Sequence, residues 1–231
     1  MEPFRFKAFS VQHHASTMKV GTDAVLLGAW SAVKGAQRIL DIGTGCGLIA
    51  LIAAQRSTAL VDAIEPDEAS VQEAAENFAS SPWPERLTAY PASVQDWDPP
   101  YRYPHILSNP PYFSGQLRSP VPGRNKARHA TDLDPETLAR HCLRLLAPNG
   151  RVSLVLPFSL IPRFSQAFRL AGATPVILKP VKNRHDLAPA LGLLELRPGT
   201  HILQEESPLI LHDGQGARSP EYADLTRELY L

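Results

Sequence analysis

A buried strand that runs into alternately spaced glycines and then into a helix restricts the fold of this chain more than any other feature. Arg38-Ile39-Leu40-Asp41-Ile42 reads as the strand, Gly43-Thr44-Gly45-Cys46-Gly47 as the loop, and Leu48-Ile49-Ala50-Leu51-Ile52-Ala53-Ala54 as the helix. Glycines at such a junction let backbone amides approach a ligand closely. The spacing then separates two ligand classes. A dinucleotide fingerprint G-x-G-x-x-G starting at Gly43 requires glycine or alanine at position 48, where Leu48 stands. Asp41, two residues before the first glycine, would repel a pyrophosphate and attract a cationic sulfonium or amino group.

Three later strand ends carry further candidates. Leu60-Val61-Asp62-Ala63-Ile64 ends in Glu65, 22 residues after Gly43, about where an acidic side chain accepts hydrogen bonds from ribose hydroxyls. The alternative for Glu65 is a carboxylate near the N-terminus of the next helix. Leu87 to Tyr90 leads to Ser93-Val94-Gln95-Asp96-Trp97, where Asp96 suits an adenine amino group with Trp97 packing nearby, or is an ordinary loop aspartate. After the apolar run His105 to Ser108 comes Asn109-Pro110-Pro111-Tyr112. An amide, two fixed φ angles and an aromatic ring suit gripping a planar amino-bearing group, either an amide or a nucleobase amine. In a chain with 22 prolines, a strand ending in a proline-rich turn is the plain alternative.

The order of elements predicts a doubly wound α/β domain. Strand-like runs at 38–42, 60–65, 87–90 and 105–108 alternate with helical patterns, as a parallel sheet requires. A helix over Asp132–Leu146, signalled by Thr131 or Asp134 and closed by Pro148-Asn149-Gly150, precedes a strand over Arg151–Leu156 and a helix over Ser159–Ala171. Pro175–Val181 and Ala190–Leu196 are consecutive strands with no crossover helix between them, so they predict an antiparallel hairpin at the sheet edge. Near the N-terminus, Thr22 or Asp23 is expected to cap a helix starting at Ala24. The strand C-termini that bear Asp41, Glu65, Asp96 and Asn109 converge on one edge in such a sheet, the edge where ligands bind.

Asp41 to Gly47, Glu65, Asp96 and Asn109 to Tyr112 together resemble the amino-group branch of the class I S-adenosylmethionine-dependent methyltransferases. More narrowly, the chain is similar to the bacterial tRNA(Val) adenine-37 N6-methyltransferase family. That similarity runs through Phe4 to Phe9, Met18 to Trp30, Ser81-Pro82-Trp83, Arg124 to Arg128 and the tyrosine-containing C-terminus. It implies a Rossmann-like, mostly parallel seven-stranded sheet with an antiparallel C-terminal edge hairpin, in a single methyltransferase domain over 1–231. Residues 1–37 would form an extension closing over the cofactor, and 38–231 the catalytic core. The implied cofactor is S-adenosyl-L-methionine, held by Lys19, Thr22, Asp41, Gly43, Gly45, Glu65, Asp96, Trp97 and Asn109. The implied catalytic residues are Asn109 and Pro110, whose carbonyls grip the amine, and Tyr112, which stacks on the base.

Composition bounds the partners. At 231 residues and 44% hydrophobic content, the chain can bury one full core. Cys46 and Cys142 make neither a disulfide framework nor a zinc spacing, and His13 and His14 lack partners at metal spacing, so no metal is expected. No apolar stretch reaches the roughly 20 residues that span a bilayer, and no signal precedes Phe4 to Lys7; a soluble, cytoplasmic protein, monomeric by preference, is expected. Net charge is zero, yet its distribution is uneven. Ala59 to Asp98 holds nine acidic residues against Arg86, whereas Ser114 to Thr131 holds Arg118, Arg124, Lys126, Arg128 and His129 with no acid. Counterion release depends on local cationic density, so this segment is the candidate contact for a tRNA anticodon loop, with Lys179, Lys182, Arg184 and His185 as a second patch. Two rival functions share the motif or the fold: a protein glutamine methyltransferase, and a non-catalytic RNA-binding protein.

Overall fold

The computed structural model describes residues 2–16, 20–111 and 133–231. An antiparallel hairpin of β1 (Phe4–Arg5) and β2 (Ser10–Val11) comes first. It is followed by α1 (Thr22–Trp30), β3 (Arg38–Ile42), α2 (Leu48–Arg56), β4 (Leu60–Glu65), α3 (Glu68–Ala79), β5 (Leu87–Pro91) and β6 (Tyr103–Ser108). The second half runs through α4 (Pro135–Leu145), β7 (Leu146–Pro157), α5 (Ile161–Ala171), β8 (Ala173–Lys182) and β9 (Leu191–Pro198). Two short strands, β10 (Gln204–Glu205) and β11 (Leu209–Ile210), and α6 (Pro220–Leu225) complete it.

The main sheet has the order β10-β8-β9-β7-β6-β3-β4-β5, with β11 also on β8. Strands β3 to β7 pair parallel, and β9 runs antiparallel between β7 and β8, which is the expected edge hairpin. Seven long strands match the expectation; β10 and β11 pair parallel with β8 and bring the sheet to nine. The central strands are apolar on both faces because helices cover both. Ile39, Val61 and Ala63 face α1, α2 and α3, while Leu40, Ile42 and Ile64 face α4 and α5. Among the described residues no helix is long and apolar enough to cross a membrane.

Several local expectations need correction. Helix α1 starts at Thr22, so neither Thr22 nor Asp23 caps it; Gly21 stands at the cap position with extended backbone and no side-chain bond. Burial positions this helix instead: Val25, Leu26 and Leu27 are in the core, and Gly28 lets α2 so close that a Cβ there would lie 2.9 Å from Ile52. The β5-to-β6 connection holds no helix. Pro91, Pro99 and Pro100 disfavour one, and Trp97 and Tyr101 cover the sheet in its place. Helix α4 is capped by Asp134, whose carboxylate accepts the Thr137 amide at 2.8 Å, and Leu146 already pairs with Tyr103, so β7 begins well before Arg151.

Gly47, at the N-terminus of α2, has φ +85°, and an added Cβ would lie 2.5 Å from Phe78 Cε1 on α3. Gly35 has a similar φ of +81° but faces open space. Gly47→Ala is expected to destabilise the protein by about 2–4 kcal/mol and Gly35→Ala by about 1 kcal/mol, read from urea unfolding midpoints. Equal losses would show that the close approach of α3 carries no weight.

Candidate active site

The chain leaves β3 toward β4 through α2, while β6 lies on the other side of β3, so the ends of β3 and β6 bound a topological switch point. Open α/β sheets bind ligands at such crevices. Gly43, Gly45 and Gly47 have φ of 71°, 55° and 85°, a left-handed run that glycine adopts without strain. Backbone bonds hold the loop down: the Gly43 and Thr44 amides donate to the Ile64 carbonyl at 2.9 and 3.2 Å, and the Gly47 amide to that of Thr44 at 2.9 Å. A Cβ on Gly43 would meet nothing within 4 Å, so the loop forms an open cradle there. Ser108 Oγ donates to the Ile42 carbonyl at 2.9 Å, locking the ends of β6 and β3 together. Asn109, 6% exposed, follows and faces the same cleft.

Beneath the loop lies Asp41, fully buried. Its Oδ2 accepts from Thr44 Oγ1 at 2.6 Å, and its Oδ1 has no side-chain or backbone hydrogen-bond partner among the described residues. Burial pushes this carboxyl up to about 7, against the pull of the Thr44 hydroxyl and the Ala50 amide, and nearby Glu65 adds to the rise. Glu65 sits at the end of β4, where Oε2 accepts the Gly45 amide and Oε1 the Asp67 amide, both at 3.2 Å. Burial raises its carboxyl as well. Asp67 performs the helix capping that was the alternative for Glu65, accepting the Ser70 amide at 2.9 Å. Each Glu65 oxygen keeps a lone pair for a hydroxyl donor.

The cleft brings together some expected residues and leaves others out. Gly43, Gly45 and Asn109 line it, with Asp41 below and Glu65 bonded to its rim. Thr22 is exposed, and Gly21, Asp23 and Ala24 form that wall instead. Thr44, Cys46, Leu48 and Ile49 also line the cleft; the glycine loop was the signal for them. Asp96 is exposed and accepts from Ser93 Oγ at 2.6 Å, away from the lining residues. Trp97 is committed to internal structure: its Nε1 donates to Tyr103 Oη at 3.0 Å, and its ring lies 4.6 Å from that of Tyr90. Lys19, Tyr112, Arg118, Arg124, Lys126, Arg128 and His129 lie outside the described residues. Lys179 drops out of the second basic patch, because Glu221 and Glu206 pair with its ammonium at 2.9 and 3.4 Å.

An unpartnered carboxylate oxygen, an open glycine cradle and a rim carboxylate fit a ligand bearing a cation and vicinal hydroxyls, as S-adenosylmethionine does. The raised Asp41 pKa also fixes a sign for stability. The folded protein holds this proton up to about 7, against 3.8 ordinarily, so stability is lost as pH rises through that window. Asp41→Asn is expected to remove this slope, gaining a few kcal/mol over the unaltered protein above pH 7 in the absence of cofactor. Parallel profiles of unfolding midpoint against pH would contradict the buried charge.

The family model for the methyltransferase small domain matches residues 16–156. The tRNA1(Val) (adenine(37)-N6)-methyltransferase of Parabacteroides distasonis is 41% identical over 230 residues, covering 99% of this chain and 97% of its own. That of Aeromonas hydrophila is 41% identical over 235 residues, with the same coverage. Among solved structures, a predicted O-methyltransferase from Agrobacterium tumefaciens superposes with a TM-score of 0.71 at 22% identity, over 90% of this chain and 96% of that one, which shows the class I methyltransferase fold. On a family match over more than half its length and on near-complete alignment with these relatives, the chain belongs to the tRNA1(Val) (adenine(37)-N6)-methyltransferase family.

Proposed function

We propose that the protein transfers a methyl group from S-adenosyl-L-methionine to the exocyclic 6-amino group of an adenine in tRNA, with adenine 37 in the anticodon loop of valine tRNA as its target. The observation that carries this reading is the placing of Asn109 opposite the glycine loop in one cleft at the switch point. The relatives' names supply the nucleotide. A cytoplasmic monomer, in one domain over 1–231, suits such a substrate.

S-Adenosylmethionine, when bound, supplies an activated methyl on a cationic sulfur. Asp41 would provide a negative charge below the loop, Glu65 would accept ribose hydroxyls, and Gly43 leaves the cradle open beside Gly45, which lines it. The Asn109 side-chain carbonyl and the Pro110 backbone carbonyl accept the two hydrogens of the target amine. That amine is conjugated with its ring and poorly nucleophilic; acceptors aimed at both N–H bonds favour a pyramidal nitrogen with a free lone pair. Tyr112 stacks on the extruded base, contributing about 1–3 kcal/mol, a role resting on the motif. Cys46 stays out of the chemistry, since burial pushes its thiol up to about 11 and leaves it protonated at neutral pH. A glutamine methyltransferase would use the same grip. Against that rival, Phe6, Phe9, Val11 and helix α1 pack into the methyltransferase core rather than forming a substrate domain.

Incubating the protein with labelled cofactor and total tRNA from a strain lacking it should place the label in N6-methyladenosine of valine tRNA; label in protein would favour the rival. Asn109→Ala is expected to lower single-turnover methyl transfer by at least about a hundredfold while cofactor binding stays within about twofold. Undiminished turnover would remove the role given to Asn109. Replacing Arg124 and Arg128 together by Ala should weaken tRNA binding and reduce the salt slope by about 1 to 2. An unchanged slope would place the RNA elsewhere.

A further inference from the structure

Glu73 and Asn77 lie one turn apart on the inner face of α3, each 2% exposed, and neither has a task in the chemistry above. Their partners are in the N-terminal segment. Glu73 Oε1 accepts the amides of His14 at 2.8 Å and Ala15 at 2.9 Å, and Oε2 accepts that of Ser16 at 2.8 Å. Asn77 Oδ1 accepts the Gln12 amide at 2.8 Å, while its Nδ2 donates to the carbonyls of Gln12 at 2.9 Å and Cys46 at 2.8 Å. One buried amide therefore joins the N-terminal segment to the glycine loop.

Burial alone would raise the Glu73 carboxyl, but the Ala15 amide, the Ser16 hydroxyl and amide and the His14 amide outweigh it and hold the group below the ordinary range. These charge-assisted bonds persist only while the segment keeps its place against α3. The same helix face meets the loop sterically, since a Cβ on Gly47 would touch Phe78 and Ala74. Only four residues then separate Ser16 from Gly21, which with Asp23 and Ala24 forms the cleft wall next to the loop. Apolar packing holds α1 by area; the directional bonds of Glu73 and Asn77 fix Gln12 to Ser16 against α3.

We infer that Glu73 and Asn77 are positioning residues for the cofactor: through the Cys46 carbonyl and the amides of Gln12 to Ser16, they hold the glycine loop and the N-terminal wall at a fixed separation, so that the cleft is assembled before the cofactor arrives. The inference rests on the reading of this cleft as the S-adenosylmethionine site. Preorganisation of this kind acts on affinity rather than on the methyl-transfer step.

The test is a comparison of Glu73→Gln and Asn77→Asp with the unaltered protein. Each variant keeps side-chain size but sets a like dipole or charge against its partners. Both should raise the cofactor Kd and KM about tenfold, with kcat at saturating cofactor and the KM for tRNA within about twofold. A lower melting temperature with unchanged cofactor Kd would overturn the inference. In the unaltered protein, S-adenosylmethionine should slow hydrogen exchange at the His14, Ala15 and Ser16 amides more than in β9; equal slowing would overturn it even if both variants failed to fold. Failure of the unaltered protein to bind S-adenosylmethionine would instead remove the reading of the cleft, and this inference with it.

Discussion

Asp41 carries a carboxylate into the centre of a parallel sheet, and the surrounding structure is arranged around the cost of keeping it there. Strands β4 and β6 flank it, the glycine loop closes over it, and Thr44 Oγ1 donates to its side chain at 2.6 Å. Burial pushes it up to about 7, and Glu65 on the neighbouring strand adds repulsion. In the proposed reading a bound cation relieves both costs. The cofactor-free fold then carries a local instability that binding removes, as expected where a site sacrifices stability for function.

The parts of the fold that were legible in the sequence are those that local chemistry determines. Arg38 to Ala54 could be read because glycines, an apolar run and a change of period coincide within a few residues. The β8–β9 hairpin followed from the lack of a helix between two strand-like runs. Features set by tertiary packing escaped. Thr22 and Asp23 look like caps, yet α1 is placed by burial of Val25, Leu26 and Leu27 and begins where that packing puts it. The β5-to-β6 connection has aromatic cover in place of a helix, and Leu146 enters the sheet because Tyr103 offers it a partner.

The site divides along the same line. Asp41, Gly43, Gly45, Glu65 and Asn109 stand at strand ends, so topology brings them to one edge. The internal role of Trp97 was not legible because an indole near a strand end suits an adenine or a core equally well, and its bond to Tyr103 joins it to a separate strand. Lys179 looked cationic in its local stretch, but its neutralising carboxylates, Glu206 and Glu221, arrive from later in the chain. Glu73 and Asn77 were invisible for a related reason: on an amphipathic helix they read as polar surface, and their partners lie 31 to 65 residues away. Polar residues that serve a buried network carry no local mark of it.

In the proposed reading, the Asp41 carboxylate is a buried charge held ready for a cationic cofactor. Carbon-13 NMR of the labelled Asp41 carboxyl, titrated with and without S-adenosylmethionine, tests it most directly. Without cofactor the carboxyl should titrate at about 7, and with cofactor it should remain ionised well below that value. The same titration curve in both states would contradict the claim.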